Sequence, residues 1–219
     1  MDIGKAFSFV FDDENWVVKV LIGGILTLIP FVGAILMYGY GLELMKNVIQ
    51  GRDKPLPEWD DWGGKLVRGI VYFVIGLVYA LPIIVVSLCF GGLMSVLGAA
   101  EAEEAVNVIG SLGGICFGGL AFLYGILLTL VLPAAYGRYL ETDEIGAAFR
   151  FGELFALVRD NLGSWLIALV LTWLAGLIGG LGVILCLVGV LFTAFWANLV
   201  TMYLWGDAYR EASAKSLAV

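Results

Sequence analysis

Four long stretches without a charged residue set the strongest limit on what this chain can fold into. They cover residues 20–42, 69–100, 105–137 and 161–206. A helix needs about 20 apolar residues to cross the core of a bilayer, so each stretch is long enough for at least one crossing. Charged residues make up only 14% of the chain, against about 25% in soluble domains. The sequence therefore predicts an all-α integral membrane protein that crosses the bilayer several times.

Joints rich in glycine or proline, together with one acidic loop, divide these stretches into six predicted membrane segments that pair as three helical hairpins. The segments are residues 17–30 with 33–48, 66–90 with 105–136, and 163–178 with 182–206. All six belong to a single membrane domain over 1–219. The first segment is short, because Val17 to Ile29 would give only about 20 Å of helix against about 30 Å of bilayer core. The first hairpin is therefore expected either to begin earlier or to be re-entrant.

The basic residues predict which side of the membrane each loop occupies. They are Lys5, Lys19, Lys46, Arg52, Lys54, Lys65, Arg68, Arg138, Arg150, Arg159, Arg210 and Lys215. In the six-segment arrangement all of them fall on one side, and Glu101, Glu103 and Glu104 form the only charged loop on the other. Short loops rich in Lys and Arg stay in the cytoplasm. Both termini are therefore predicted to be cytoplasmic.

Tryptophan positions agree with this orientation. Five of the seven fall near the predicted cytoplasmic ends of the segments: Trp16, Trp59, Trp62, Trp165 and Trp205. Amphipathic rings settle at the level of the lipid head groups. We expect these five to anchor the protein at the interface.

The hairpins carry traces of a threefold repeat, with units at about 5–50, 56–142 and 147–211. Each second helix ends in an aromatic–glycine pair followed by charges: Tyr40-Gly41, Tyr136-Gly137 and Trp205-Gly206. Surface-lying segments are expected ahead of the hairpins. In residues 147–162 one helical stripe carries Ala148, Phe151, Phe155, Val158 and Leu162, while Arg150, Glu153 and Asp160 lie opposite. This pattern predicts an interfacial amphipathic helix, with Ser164 as the N-cap of the membrane helix that follows.

Several motifs resemble a bacterial and archaeal membrane family catalogued as a domain of unknown function, number four thousand and thirteen. They are the LPEW and DW of 56–62 before an apolar helix, an earlier FxF, W, GG and IP series, PAAYGRY (133–139) and AAFRFGE (147–153). The motifs occur in the right order over nearly the whole chain. The resemblance implies a multi-pass protein of the cytoplasmic membrane of a bacterium or archaeon. It brings no activity, ligand or catalytic residue with it.

The stretch LPEWDDWGG, Leu56 to Gly64, is the first candidate site. Glu58, Asp60 and Asp61 lie beside two lysines and would suit Mg²⁺ or phosphate chemistry, because hard cations prefer oxygen ligands. The alternative is a kinked interfacial turn, since Pro55 and Pro57 disfavour helix. The spacing favours the turn, because neighbouring aspartates would point apart on a helix.

A wider polar cluster is predicted at the cytoplasmic face. It joins those three acids to Glu43, Lys46, Asp207 and Arg210, which form two i,i+3 pairs near the inner helix ends. Helix-end ion pairs are the favoured interpretation, and a polar vestibule is the other. No charged residue is predicted at the bilayer midplane, which weakens an ion-coupled transporter hypothesis.

Glycine spacing predicts helix packing within the second hairpin. Gly110, Gly114 and Gly118 recur every four residues, and small residues at that spacing let helices approach closely. Packing within the chain is the first interpretation, and the face of a homo-oligomer is the second.

Several residue types narrow the possible functions. The chain has no histidine, which removes histidine-based acid–base catalysis and His-ligated metals. Cys89, Cys116 and Cys186 lack the spacing of a zinc site or a disulfide framework. The net charge of −7 would argue against nucleic acid in a soluble protein. Here the distribution of the charges matters more than their sum, and no nucleic-acid partner is predicted. No cofactor is predicted.

Three hypotheses for the function follow. The leading one is a non-enzymatic membrane scaffold or accessory subunit, with the lipid bilayer and either a homo-oligomer or a membrane-complex subunit as partners. A permease or channel for a small or lipid-like molecule is the alternative, because hairpin repeats interrupted by Gly and Pro also occur in carriers. A carboxylate- and Mg²⁺-dependent lipid-modifying enzyme that uses Glu58, Asp60 and Asp61 is a weaker one.

Overall fold

The computed structural model describes residues 3–216, apart from the side chains of residues 105, 185–188 and 216, and every regular element in that part of the chain is a helix. In chain order the α-helices are α1 (Ile3–Ser8), α2 (Trp16–Leu26), α3 (Val32–Ile49), α4 (Trp62–Ala99), α5 (Glu103–Thr142), α6 (Phe151–Asp160), α7 (Leu162–Gly180) and α8 (Cys186–Ser216). Short 3-10 helices cover Phe9–Asp12, Ile145–Phe149 and Leu181–Leu185. The predicted all-α class is confirmed over this range.

Four stretches within the described residues are long and apolar enough to cross a membrane. They are Trp62–Ala99, Val106–Thr142, Leu162–Ile184 and Gly189–Lys215, which fall on α4, α5, α7 and α8. The chain is therefore a multi-pass membrane protein. The count of six segments is not confirmed, because α2 has only 11 residues, about 16 Å of helix.

The helices of the second hairpin extend well beyond the predicted 66–90 and 105–136. α4 has 38 residues and α5 has 40, about 57 Å and 60 Å at 1.5 Å per residue. Pro82 and Pro133 lie inside these helices without ending them. The predicted outer loop at 97–107 is reduced to a turn at 100–102, in which Glu101 has a φ of 53°.

The chain forms two compact units, and the first combines Met1–Ile75 with Leu130–Val219. α8 lies at its centre and packs against α7, α3, α2 and α1. Phe9 stacks on Tyr203 with ring centroids 4.6 Å apart, and the fully buried Phe195 ring lies against Gly23. Small residues let the helices approach closely enough for these rings to fill the space between them.

Two glycines set the crossing of α3 and α4 within the first unit. A Cβ atom on Gly39 would collide with the backbone carbonyl of Lys65, and one on Gly69 would collide with that of Ile35. The two backbones are therefore in contact at this crossing. Only glycine leaves room for that approach.

The second unit covers Gly76–Thr129, the parts of α4 and α5 on either side of their turn. Phe90 stacks on Phe117 at 5.7 Å, and the Tyr124 hydroxyl donates to the carbonyl of Tyr79 at 2.6 Å. Most other large side chains are exposed. In the most apolar windows of α4 and α5, only 11% and 6% of the residues are buried, against 44% in α8.

The segment ahead of the third hairpin is helical, as predicted, but its faces differ from the prediction. The 3-10 turn at Ile145–Phe149 precedes α6, whose Leu154 and Val158 are buried. Of the predicted apolar stripe, Ala148 and Val158 are buried while Phe151, Phe155 and Leu162 are exposed. Ser164 is not an N-cap, because α7 already begins at Leu162 and the Ser164 hydroxyl donates to Glu211 Oε2 at 3.1 Å.

Candidate functional site at the charged helix ends

One face of α3 holds the linker that precedes α4. The Tyr40 hydroxyl donates to the carbonyl of Pro57 at 2.7 Å, and the Asn47 amide donates to that of Pro55 at 2.8 Å. Glu43 lies between them along the helix and meets the first turns of α4. The spacing i, i+3, i+7 puts all three side chains on one stripe. Proline-containing linkers cannot satisfy their own carbonyls through a helix ladder, so α3 supplies the donors.

Glu58 forms an ion pair with a buried cation, Lys19. Its Nζ lies 2.7 Å from Asp13 Oδ2 and 2.6 Å from Glu58 Oε1, and the lysine is 2% exposed. Trp59 Nε1 donates to the carbonyl of Lys19 at 3.0 Å, and its ring stacks on Tyr40 at 4.3 Å. Burial raises the pKa of the Asp13 carboxyl, but hydrogen bonds from Lys19 and from the Asn15 N–H outweigh burial and hold the pKa below its ordinary value.

Asp60 and Asp61 make different contacts from those of Glu58. Asp60 Oδ1 accepts the backbone N–H of Asp61 at 2.8 Å, which lowers the pKa of its carboxyl, and lies 3.6 Å from Lys65 Nζ. Asp61 Oδ1 accepts the N–H of Gly64 at 2.8 Å and caps the start of α4. The three acids therefore meet three different partners. Within residues 3–216, no group of three or more Asp, Glu or Cys is placed to hold a metal ion.

A second buried lysine links α3 to α4. Lys65 is fully buried, and its Nζ lies 3.0 Å from Glu43 Oε2 in an ion pair that falls outside hydrogen-bond geometry. Arg68 reaches the same Glu43 oxygen at 3.1 Å. The Lys65 ammonium also lies 5.8 Å from the centre of the Tyr40 ring, within the range of a cation–π contact. Glu43 therefore neutralises cations of α4.

The remaining members of the predicted cluster separate into two pairs. Lys46 does not pair with Glu43 but reaches Asp143, with 2.7 Å between Nζ and Oδ1. Asp207 is buried and pairs with Arg210, as the i,i+3 spacing predicts. Arg210 also donates to the carbonyl of Val48 at 3.3 Å, which joins α8 to the last turn of α3. Six of the seven residues therefore take part in ion pairs along the helix ends, with Glu43 and Asp60 sharing Lys65, while Asp61 caps α4.

The aromatic–glycine pairs of the repeat lie where helices of the first unit meet. Gly41 faces Met202, Gly137 faces the Tyr209 ring, and Gly206 lies against the carbonyl of Met45. Tyr136 stacks on Tyr72 at 4.6 Å. Sequence analysis found these pairs as a repeat without assigning them a contact. Each of these three glycines lies at a contact between α8 and another helix.

The predicted tryptophan anchors differ in exposure. Trp16, Trp59 and Trp205 are partly buried and Trp62 is 43% exposed. Trp165 is only 2% exposed, so its ring packs inside the protein. Cys89 and Cys116 are exposed, and the side chain of Cys186 is outside the described set.

The predicted packing glycines of α5 lie in the second unit. A Cβ on Gly110 would contact Met94 Sδ at 3.5 Å, an ordinary van der Waals distance. Nothing lies within 4 Å of the corresponding positions on Gly114 and Gly118. Two of the three therefore face open space in this chain.

A cavity of about 630 Å³ lies in the first unit, among the last turns of α5 and α8 and one face of α6. Sequence analysis did not find it. Its charged lining comprises Arg138, Glu141, Glu153, Asp160 and Lys215, beside Leu154, Ala156 and Leu157. Arg138 donates to Glu141 and Glu153, both at 2.9 Å, and the Tyr209 hydroxyl donates to Glu141 at 2.6 Å. Cavities of this volume hold small molecules in other proteins.

The family model for the protein of unknown function DUF4013 matches residues 22–188. The matched range contains the linker, α4 to α7 and the charged residues of α5 and α6, while Tyr209 and Lys215 follow it. The predicted family resemblance is confirmed. No curated protein and no solved structure matches the chain.

Proposed function

We propose that this chain, which belongs to the DUF4013 family, is a non-enzymatic membrane scaffold or accessory subunit whose second unit receives a transmembrane helix. The observation that carries the proposal is the exposure of that unit's apolar surface. Leu112, Ile115, Phe122 and Leu123 are all more than 60% exposed. Lipid covers part of such a surface, and a partner helix covers the rest.

The length of the second hairpin supports a protein partner. The uncharged run at 69–100 would be about 48 Å long as a helix. Tilted by about 40°, at the upper end of the usual range, it would still extend about 37 Å along the membrane normal, against about 30 Å of hydrocarbon. The run is longer than lipid alone accommodates, so protein contacts cover part of it: residues 69–75 pack within the first unit, and we expect a partner to cover part of the rest.

The open glycines indicate where the partner packs. Gly114 and Gly118 lie one turn apart and have free space above them. Helices in membranes associate through van der Waals contact at small residues. A partner helix against this face would fill the space without moving any other side chain of the unit.

The experiment is co-purification of the full chain from its native membrane in mild detergent after chemical cross-linking. We expect a stable complex, and an at least tenfold loss of it in the double variant Gly114→Leu with Gly118→Leu. Gly176→Leu on α7 is the matched control, because its added side chain also meets open space but lies in the first unit. A clean monomer, or equal loss in the control, would refute the proposal.

We also propose that the charged helix ends of the first unit face the cytoplasm, with both termini on that side. All twelve Lys and Arg residues belong to the ranges of the first unit. The only charged residues in 76–129 are acids, namely Glu101, Glu103 and Glu104. This asymmetry supports the orientation. The proposed orientation is the same whether the short first hairpin spans the membrane or is re-entrant. It is consistent with the cytoplasmic membrane of a bacterium or archaeon. A reporter that works only outside the cytoplasm should be active when it is fused at Ala102, and one that works only in the cytoplasm should be inactive there.

The permease hypothesis draws support from the cavity beside α6. A substrate route would need that cavity to continue between the membrane helices. Flux of small polar solutes into liposomes that contain the purified chain, and its loss in Arg138→Gln, would favour the permease over the scaffold.

A further inference from the structure

The cavity beside α6 offers both hydrogen-bond donors and acceptors to a ligand. Glu141 uses Oε2 for Arg138 and for Tyr209, which leaves Oε1 without a partner among the described residues. Asp160 uses Oδ1 for Arg159 at 3.0 Å, which leaves Oδ2. A donor on the same lining is Lys215, whose side chain is 61% exposed. The Glu141 and Asp160 side chains are 40% and 59% exposed, so their free oxygens are open to a ligand that donates hydrogen bonds.

The charges of the lining favour a cationic group in the ligand. Three carboxylates, Glu141, Glu153 and Asp160, face two cations, Arg138 and Lys215. Both terminal nitrogens of Arg138 are already taken by carboxylates, so this guanidinium is not free to clamp an anion. Lys215 is exposed and pairs with Glu211 at 3.3 Å. The ligand therefore places an ammonium group at the carboxylates and a single acceptor oxygen near Lys215.

The surroundings point to a lipid as the source of that group. Leu154, Ala156 and Leu157 line the cavity from α6, while Phe151 and Phe155 of the same helix are 59% and 57% exposed. A short amphipathic helix with exposed aromatic rings lies in the interface, with those rings among the acyl chains. The cavity then lies at the depth of the head groups, at the charged ends of α5 and α8.

We propose that this cavity binds the head group of a phospholipid that carries a primary ammonium and a phosphodiester, as in phosphatidylethanolamine. Glu141 and Asp160 accept hydrogen bonds from the ammonium, and the Lys215 ammonium donates to one phosphate oxygen. The apolar residues of α6 contact the glycerol part. A quaternary ammonium has no N–H to donate and satisfies the carboxylates less well.

The test is binding to the purified full chain in detergent, followed by native mass spectrometry with three added lipids. Phosphatidylethanolamine should bind at least about tenfold more tightly than phosphatidylglycerol, since a hydrogen bond to a charged group contributes about that much. Phosphatidylcholine should be intermediate. Soluble phosphoethanolamine should compete only at much higher concentration. Equal or tighter binding of phosphatidylglycerol would overturn the proposal, as would soluble phosphoethanolamine that binds as tightly as the lipid.

Two variants locate the binding. Glu141→Gln and Asp160→Asn should each weaken phosphatidylethanolamine binding about tenfold and leave phosphatidylglycerol unchanged. Asp160 is exposed at the rim, so its variant reports on binding even where Glu141→Gln impairs folding. Glu144→Gln is the matched control, because Glu144 is a nearby acid that does not line the cavity. Unchanged affinity in Asp160→Asn, or equal weakening in Glu144→Gln, would place the lipid elsewhere and refute the proposal.

Discussion

The two units of this protein differ in how far their apolar residues are buried. The most apolar window of α5 has a mean hydropathy of 2.4 and is 6% buried, whereas that of α8 has a mean hydropathy of 1.2 and is 44% buried. In a soluble protein the more apolar helix would be the more buried one. Here the more apolar helix faces outward, because its solvent is lipid. Burial in this chain therefore follows shape and polar pairing and does not follow hydropathy.

Polar contacts show the same difference. The first unit holds its linker through Tyr40 and Asn47 and pairs its buried lysines with acids. Among the described residues of the second unit no ion pair occurs, and the hydroxyl groups of Ser87, Ser95 and Ser111 bond to carbonyls of their own helices. The first unit thus specifies its own packing, while the second leaves most of its apolar surface exposed. Each of the following variants tests this contrast.

The largest effect is expected at the crossing of α3 and α4. Gly39→Leu forces a side chain into the carbonyl of Lys65, and backbone contacts cannot yield as a flexible side chain would. We expect a loss of at least about 1–3 kcal/mol of unfolding free energy. Thermal unfolding in detergent, followed by tryptophan fluorescence, measures it. Gly118→Leu in the second unit should leave the melting temperature unchanged, and equal melting temperatures for both variants would contradict the comparison.

Lys19→Met should have the next largest effect. It leaves Asp13, whose side chain is 12% exposed, without its cation. Removing one partner of a buried pair costs about 3–5 kcal/mol. We expect about 2–3 kcal/mol here, because Glu58 is 61% exposed and regains water. Lys54→Met is the matched control, since its pair with Glu14 is exposed on both sides and such pairs contribute about 0–1 kcal/mol. Equal losses for the two lysines would contradict burial as the cause.

The membrane helices could be predicted from sequence because hydropathy is a local property. The turn of the first hairpin, predicted at 29–33, lies at 27–31. The prediction ended the first helix of the second hairpin at residue 90, whereas α4 continues through Gly91 and Gly92 to Ala99. Glycine weakens a helix in water, but in an apolar medium the backbone has no other hydrogen-bond partner and the helix persists.

The candidate site could be predicted only in part. Glu58, Asp60 and Asp61 were grouped because they are neighbours in sequence, but the cation that each one meets depends on tertiary packing. No local pattern predicts that Lys19 reaches Glu58. The spacing of Tyr40, Glu43 and Asn47 was a usable signal, since polar residues at i, i+3 and i+7 mark one helix face. The cavity joins three helices, so it has no sequence pattern of its own.

A smaller effect separates the two aspartates of the linker. Asp61→Ala removes the cap of α4 and should lower the unfolding free energy by about 1 kcal/mol. Asp60→Ala should cost less than Asp61→Ala, because the Asp60 side chain is 75% exposed. Chemical denaturation in detergent compares the two, with Glu104→Ala as the control in the second unit. A larger loss of unfolding free energy in Asp60→Ala than in Asp61→Ala would contradict the capping of α4 as the main contribution of these acids to stability.

The smallest effect is a dependence of stability on pH that belongs to the first unit. The pKa of Asp13 is raised by burial and lowered more strongly by the hydrogen bonds of Lys19 and Asn15, so the two influences partly cancel. Because the folded pKa lies below the ordinary value of 3.8, this carboxylate stabilises the fold above that pH. The contribution is lost as the pH falls through the folded pKa. Melting temperatures between pH 6 and pH 3 should therefore fall less in Asp13→Asn than in the parent chain. Glu104→Gln, in the second unit, should keep the parent profile, because Glu104 has no ion pair among the described residues and its removal leaves the pairing of the first unit intact.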